Sequence, residues 1–279
     1  MKHHEFNFTL YKELFYGQYW QSTNTKAVVI LVHGMGEHSS RYAEFVVPSL
    51  IQNGFSVVAF DQFGHGKTSG KRGHCPSFEA VLESLDQVID KAKTVFSDLP
   101  LFLYGHSMGG NVVLNYALRK DNNLTGIIAS SPFLRLAFQP PKWKLTLGKY
   151  LQKIAPSLTL NNELDPKDIS RDPIEVQKYI NDPLVHDRIS PNYSLTFIDT
   201  GAWAIENAPN LKTPTLIVHG TGDHIIDYHG SEEFASKTKL ATFKSYPNGA
   251  HELHNDLCKE TLLKDITHWI DNMLTLKNA

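Results

Sequence analysis

The sequence predicts an α/β protein in which a mostly parallel sheet is flanked by helices. Short continuous runs of apolar residues recur along the chain, and each run ends near a glycine, serine or aspartate. Such runs are typical of strands that are buried on both faces of a parallel sheet. Between them, apolar residues recur at the three- and four-residue spacing of amphipathic helices. Hydrophobic residues make up 41% of the 279 and charged residues 20%, which is enough apolar material for a large core.

The predicted elements follow one another along the chain. Five continuous apolar runs predict the central strands, at 27–32, 55–60, 101–104, 126–129 and 215–218. Alternating, aromatic-rich segments at 6–11 and 18–21 predict an antiparallel hairpin on one edge of the sheet, and 242–246 predicts the last strand. Two helices that pack on the sheet are predicted from apolar residues at helical spacing: Val81, Leu85, Val88, Ile89, Ala92, Val95 and Phe96 in one, and Leu262, Ile266, Trp269, Ile270 and Met273 in the other.

Residues from about 133 to 206 interrupt this alternation of strand and helix. The segment contains few strand-like runs, several prolines, and one clear amphipathic helix with a stripe of apolar residues: Trp143, Leu147, Tyr150, Leu151 and Ile154. Open α/β folds bind their ligands at the carboxyl edge of the sheet. We therefore predict a core formed by 1–132 and 207–279, with 133–206 as a cap over that edge.

Charge and composition exclude several classes of protein. There are 27 basic and 29 acidic residues, so no basic field indicates binding to nucleic acid. Cys75 and Cys258 are too few and too far apart for a disulfide framework or a thiolate metal site. The first residues lack the apolar stretch of a secretory signal, and no run approaches the roughly 20 apolar residues of a membrane span. The sequence predicts a cytoplasmic protein.

The strongest chemical motif lies between the predicted strand at 101–104 and a helical pattern around Val112. Gly105-His106-Ser107-Met108-Gly109 has the order Gly-x-Ser-x-Gly. Between a strand and a helix, this order makes a sharp turn that holds the serine hydroxyl above the sheet. The helix N-terminus adds positive partial charge where an oxyanion would form. We predict that Ser107 is a nucleophile; the alternative is a glycine-rich turn with an incidental serine.

A nucleophilic serine needs a base, and the base needs a carboxylate that fixes its tautomer. In this architecture they follow the serine in the order carboxylate, then histidine. Asp223 lies in the first turn after the strand at 215–218 and is the favoured acid, whereas Asp227 is better placed to cap a following helix. Past the last strand, His251 follows a flexible Asn-Gly-Ala loop and is the predicted base, with His254 as its competitor.

The first long strand ends in His33-Gly34-Met35. A turn at this place supplies the second backbone donor of an oxyanion hole, and glycine lets the backbone approach the substrate. The predicted donors are therefore the N–H groups of Met35 and Met108.

The 14 histidines raise the question of a metal site. Two segments, 33–38 and 219–229, are dense in possible ligands, but neither has the His-Glu-x-x-His spacing. Both lie at the ends of predicted strands, where a parallel sheet commonly places polar residues. We predict no metal and no cofactor.

Together, these motifs resemble those of the monoacylglycerol lipases, serine hydrolases of the α/β-hydrolase superfamily. The resemblance covers about residues 25 to 275 and rests on the segments 33–42, 61–66, 105–110, 169–172, 175–184 and 250–254. It implies Ser107, Asp223 and His251 as a catalytic triad. It also implies that Glu37, Arg41, Tyr179 and His254 surround the glycerol end of the substrate, and that the cap holds the acyl chain. Asn111 and Lys67-Thr68 depart from the family pattern.

The sequence therefore predicts an α/β-hydrolase fold with eight strands and a helical cap. The expected reaction is hydrolysis of a lipid ester, monoacylglycerol to glycerol and fatty acid, through an acyl-serine. Trp143, Leu147 and Leu151 are expected to line the acyl site, although their stripe could equally pack on the core. We expect the cap to touch membrane surfaces transiently, at a peripheral cytoplasmic location. The alternatives are a lysophospholipase, a general carboxylesterase, and a non-catalytic binding protein of the same fold.

Overall fold

The structure is a computed structural model that describes residues 1–121 and 123–277. Residues 122, 278 and 279, which belong to the segments predicted to form the core, lie outside the described part. The strands are β1 (Lys2–Leu10), β2 (Glu13–Gln21), β3 (Ala27–Val32), β4 (Phe55–Phe60), β5 (Leu101–His106), β6 (Gly126–Ser130), β7 (Leu160–Asn161), β8 (Arg188–Ile189), β9 (Thr215–Gly220) and β10 (Ala241–Tyr246). The helices are α1 (Val46–Gln52), α2 (Phe78–Val95), α3 (Met108–Arg119), α4 (Lys142–Ile154), α5 (Pro173–Asn181), α6 (Pro191–Asn207), α7 (Tyr228–Ser236) and α8 (Lys259–Lys277).

Eight of the strands form one sheet in the order β1-β2-β4-β3-β5-β6-β9-β10. The β1–β2 hairpin and its pairing with β4 are antiparallel, and every other pairing in the sheet is parallel. The predicted fold class and the edge hairpin are thereby confirmed. The hairpin extends further than the sequence predicts, because His3 and His4 stack on Trp20 and Tyr19 and continue the pairing toward the N-terminus.

The central strands separate two apolar layers. Side chains of β3 alternate between the layers: Val28 and Ile30 face the layer that contains α2 and α3, whereas Val29 and Leu31 face the layer that contains α1 and α8. All of β3, β4, β5, β6 and β9 is buried. This explains why these strands appear in the sequence as continuous rather than alternating apolar runs.

The chain between β6 and β9 contains α4, α5, α6 and the β7–β8 ribbon. Helix α4 has no buried residue, although its sequence is amphipathic. Helix α6 instead places Tyr193, Phe197 and Ala204 in the same apolar layer as α2 and α3. It packs as a core helix inside the segment 133–206, and the division of the chain at 132 and 207 stays a prediction.

Candidate active site

Ser107 occupies the turn between β5 and α3. Its backbone is strained, with φ of 52° and ψ of −115°, and it precedes the first residue of the helix. The turn is so tight that a Cβ at Gly109 would collide with the carbonyl oxygen of Val32, and a Cβ at Gly105 would collide with that of Gly109. The glycines of the motif are therefore required by close contacts of the backbone, and this strained turn brings the serine to the carboxyl edge of the sheet.

Three side chains from different loops meet at this edge. His251 Nε2 lies 2.9 Å from Ser107 Oγ, and His251 Nδ1 lies 2.7 Å from Asp223 Oδ2. All three residues are buried, with at most 7% of their surface exposed. The histidine can thus accept the proton of the serine hydroxyl at Nε2 while it donates from Nδ1 to the carboxylate. The structure brings together the three residues that the sequence predicts as a triad, and their catalytic roles remain a prediction.

The carboxylate of Asp223 is held by four N–H donors. Oδ1 accepts from the backbone N–H groups of Ile225 and Ile226, at 2.9 Å each. Oδ2 accepts from His251 and also from His219 Nε2, at 3.0 Å. Burial alone would raise the pKa of Asp223, but the charge of His251 and the hydrogen bonds from both histidines hold it well below its usual value. The group is therefore an anion throughout the physiological range.

His251 is poised as a base by the same contacts. Burial by itself would lower its pKa, but the Asp223 carboxylate, with smaller contributions from Glu252 and Glu37, raises the pKa above the ordinary value. His106 lies against it with ring centroids 4.8 Å apart, and burial lowers the pKa of His106 well below its usual value. The neighbouring imidazole is therefore neutral and does not repel a proton on His251.

Asp227 and His254, the alternatives to Asp223 and His251, lie in different surroundings. Asp227 is the N-cap of α7, where its carboxylate accepts from His229 N, so the predicted capping role is confirmed. It also pairs with Arg135 at 2.7 Å, on the surface. His254 is fully buried and stacks on Tyr42, with ring centroids 4.7 Å apart. Neither Asp227 nor His254 contacts Ser107.

The predicted oxyanion donors lie on either side of the serine. Met108 is the first residue of α3, so its N–H has no acceptor within the helix. The loop after β3 lies against the serine: a Cβ at Gly34 would be 3.3 Å from the Cβ of Ser107. Met35 follows in that loop and lines the same cavity. Their roles as donors remain predictions.

The polar end of the site is a buried cluster of charges around Arg41. Its guanidinium forms a two-pronged pair with Glu252, at 2.7 and 2.8 Å, and donates to Glu37 at 2.9 Å. It also lies over the ring of Tyr179, 4.8 Å from the centroid. Burial raises the pKa of Glu37, whereas the Arg41 charge holds the pKa of Glu252 below its usual value. Glu37, Tyr179 and Glu252 line the cavity at Ser107, and Arg41 lies behind them.

The cavity in front of Ser107 has a volume of about 490 Å³. Apolar side chains from several parts of the chain line most of it, among them Phe133, Trp143, Leu147, Leu151, Ile169, Ile198, Ile225 and Ile226. Helix α4 therefore turns Trp143, Leu147 and Leu151 toward the cavity rather than toward the core. Arg41 and His254, which the resemblance places around the substrate, support the wall without lining it.

Two residues that hold the site together were not predicted. Glu252 directly follows His251, but its partner Arg41 is 211 positions away, so no local pattern indicates the pair. His219 ends β9, and its contact with Asp223 spans four residues. The four-residue spacing of His219 and Asp223 in the sequence is a signal that could have indicated this contact. Among the described residues, no group of three His, Cys, Asp or Glu is arranged to hold a metal ion. Within residues 1–121 and 123–277, every helix is too short or too polar for a membrane span.

Comparison with known proteins finds relatives by sequence and by structure. The family described as "Serine aminopeptidase, S33" matches residues 23–258 of the chain. A monoglyceride lipase homolog of monkeypox virus is 32% identical over 95% of this chain and 97% of its own length. An abhydrolase domain-containing protein of Dictyostelium discoideum is 39% identical over 88% of this chain, which spans only 26% of that protein. The solved structure of a monoacylglycerol lipase of Paleococcus ferrophilus superposes with a TM-score of 0.85 at 36% identity, covering 94% of this chain and 98% of that one.

Proposed function

The chain belongs to the monoacylglycerol lipase family of α/β-hydrolase serine hydrolases, and from this premise we propose that it cleaves monoacylglycerols to glycerol and free fatty acid. It is a carboxylic ester hydrolase. The observation that carries the choice of substrate is the cavity at Ser107, which has a buried polar end at Glu37, Tyr179 and Glu252 and an apolar remainder. Such a division suits an ester whose alcohol carries hydroxyl groups and whose acid is an alkyl chain.

The proposed mechanism uses only side chains and backbone groups of this chain. His251 Nε2 removes the proton of Ser107 as Oγ attacks the ester carbonyl, and the oxyanion of the tetrahedral intermediate is stabilised by the N–H groups of Met35 and Met108. When the intermediate collapses, His251 returns the proton to the glycerol oxygen and the acyl group stays on the serine. Water then attacks the acyl-serine with the same histidine as base, which releases the fatty acid. Asp223 stays ionised and holds the imidazole tautomer throughout.

The charge of the polar end favours a neutral alcohol over a phosphate-bearing one. Glu37 and Glu252 are two carboxylates around the single guanidinium of Arg41. A phosphodiester would add a further negative charge to this buried cluster, in which Arg41 is already paired with both carboxylates. This supports a monoacylglycerol rather than a lysophospholipid as the substrate.

A substrate panel tests the proposal. We expect kcat/KM for monooleoylglycerol to exceed that for oleoyl lysophosphatidylcholine, and faster cleavage of the lysophospholipid would refute the choice of substrate. Tyr179→Phe keeps the ring over Arg41 and removes only the hydroxyl. We expect it to lower kcat/KM for monooleoylglycerol several-fold and to leave a short nitrophenyl ester, which has no glycerol, unchanged. Ser107→Ala serves as the blank for hydrolysis by contaminants.

We further propose that α4 contacts a lipid surface while the protein resides in the cytoplasm. Trp143, Tyr150 and Ile154 are 64%, 61% and 59% exposed, which is typical of a helix that lies at a membrane interface. The two cysteines are free thiols, as a reducing compartment favours. Replacing Tyr150 and Ile154 with aspartate should reduce co-sedimentation with vesicles of phosphatidylcholine and phosphatidylglycerol. Unchanged co-sedimentation would exclude α4 as the contact.

A further inference from the structure

Asp256 is a buried charge that the proposed mechanism does not use. Its side chain is completely buried, and its carboxylate pairs with two nitrogens of Arg171: Nε donates to Oδ1 and Oδ2 at 3.1 and 2.9 Å, and Nη2 lies 2.9 Å from Oδ2. Oδ1 also accepts from Arg171 N, and Oδ2 accepts from Ala250 N, both at 2.9 Å. Burial alone would raise the pKa of Asp256, but these donors lower it. The site is thus built for an ionised carboxylate.

One of the two backbone donors to Asp256, the N–H of Ala250, lies next to the proposed base. Ala250 immediately precedes His251, in a loop whose Asn248 has a positive φ of 56°. Within the loop, Gly249 N donates to Tyr246 O and Asn255 N donates to Glu252 O, whereas His251 N donates to Asp168 O, outside it. The path of the loop therefore depends in part on outside partners. The hydrogen bond from Ala250 N to Asp256 fixes the Gly249–Ala250 peptide group, which directly precedes the peptide group leading into His251.

The partner of Asp256 comes from the segment between β6 and β9. Residues 168–171 run beside the histidine loop and hold it by further hydrogen bonds: Glu252 N donates to Ile169 O at 2.7 Å, and Ser170 Oγ donates to Asn255 O at 2.8 Å. His251 O in turn accepts from Ser131 Oγ at 2.9 Å. The position of His251 therefore depends on residues 168–171, and Ile169 in this segment also lines the cavity at Ser107.

We propose that Asp256 and Arg171 are positioning residues that clamp the histidine loop to residues 168–171, and so couple the acyl cavity wall to the placement of His251 against Ser107. The proposal rests on the triad of the proposed function but not on the identity of the substrate. A displacement of about 1 Å in a catalytic group is enough to cost about 100-fold in rate. Through Asp256, the clamp joins the charged side chain of Arg171 in the 168–171 segment to this loop.

Asp256→Asn tests the clamp because the amide matches the carboxylate in shape but turns one acceptor into a donor. We expect kcat for a short nitrophenyl ester to fall about 10- to 100-fold, with a similar fall in the rate of fluorophosphonate labelling and little change in KM. Loosening of His251 from Asp223 should also lower the pKa of His251, so the acid limb of the kcat/KM profile should move to lower pH. The groups that face His251 and set that limb are Asp223, Glu252, Glu37, His106 and His254.

Asp86→Asn is the matched control. Asp86 accepts from Tyr116 Oη at 2.7 Å and from Lys120 Nζ at 3.0 Å, between α2 and α3 and away from the histidine loop. It should lower the melting temperature and leave kcat and the acid limb unchanged. The proposal is overturned if Asp256→Asn behaves in the same way, with a lower melting temperature but an unchanged rate and limb.

Arg171→Lys gives a second variant should Asp256→Asn fail to fold. It keeps the positive charge but cannot present two parallel donors to the carboxylate. We expect a smaller fall in kcat and the same direction of shift in the acid limb, and wild-type values for both would overturn the clamp. Because short esters and fluorophosphonates need no glycerol site, failure of the protein to cleave monoacylglycerols would refute the proposed function alone and leave this test intact.

Discussion

Replacing Asp223 with asparagine is the sharpest test of the proposed catalytic site. The carboxylate accepts four N–H groups, two at Oδ1 from Ile225 and Ile226 and two at Oδ2 from His219 and His251. An asparagine has one acceptor oxygen and one NH₂ group. Whichever way it turns, the NH₂ meets two N–H donors that have lost their acceptor.

The expected loss of activity follows from the imidazole tautomer. If the NH₂ faces His251, the imidazole is stabilised with its proton on Nε2, where it cannot accept the proton of Ser107. The equivalent change in a dissected serine protease cost about 10⁴-fold in kcat, which corresponds to about 5.4 kcal/mol of transition-state stabilisation. Each buried donor left unpaired costs about 1–3 kcal/mol of folding stability, so the melting temperature should fall as well.

Steady-state hydrolysis of a short nitrophenyl ester measures this loss of kcat, because such a substrate does not need the apolar part of the cavity at Ser107. Asp227→Asn is the control, because Asp227 caps α7 and pairs with Arg135 but lies away from Ser107. Loss of the capping carboxylate should cost about 1 kcal/mol of stability and no activity. Activity of Asp223→Asn within tenfold of the wild type, or an inactive Asp227→Asn, would show that the acid has been assigned wrongly.

Three further outcomes are expected. Ser107→Ala should lose at least about 10³-fold in kcat with an unchanged circular dichroism spectrum; retained activity would refute the nucleophile. Because His251 must be unprotonated to act as base and its pKa is raised, kcat/KM should decline as pH falls, with a midpoint above about 6.5; a lower midpoint would contradict the pairing with Asp223. Leu147→Asp with Leu151→Asp should lower kcat/KM tens-fold for long-chain monoacylglycerols, since each buried methylene contributes about 0.8 kcal/mol, and should spare short esters; equal losses on both would place the stripe in the core.

The sheet could be predicted because its strands are buried on both faces. A strand such as β3 has no polar face, so it appears in the sequence as a continuous apolar run. A helix that packs one face on the sheet shows apolar residues only at every third or fourth position. The tight turn at Ser107 could be predicted for a related reason. Backbone contacts at positions 105 and 109 leave no room for a side chain, so the turn requires glycine at both positions and the sequence shows it.

The contacts that hold the loops of the site together left no comparable pattern. Arg41 meets Glu252 across 211 positions, and Arg171 meets Asp256 across 85. A charged residue in a loop looks the same in the sequence whether it is solvated or buried in an ion pair. Only the fold determines which of these charges come together, so the sequence could indicate the reacting groups but not their supports.

The two helices of the inserted segment show why burial cannot be inferred from amphipathic spacing alone. Helix α4 carries an apolar stripe and buries no residue, because the stripe faces a cavity and solvent. Helix α6 also has apolar residues at helical spacing, yet its Tyr193 and Phe197 lie in the core beside α3. Apolar residues at helical spacing indicate that one face of the helix is buried in some state of the protein. For α4, we infer that this state is the one with an acyl chain or a lipid surface against it, since the described protein leaves most of Trp143, Tyr150 and Ile154 exposed.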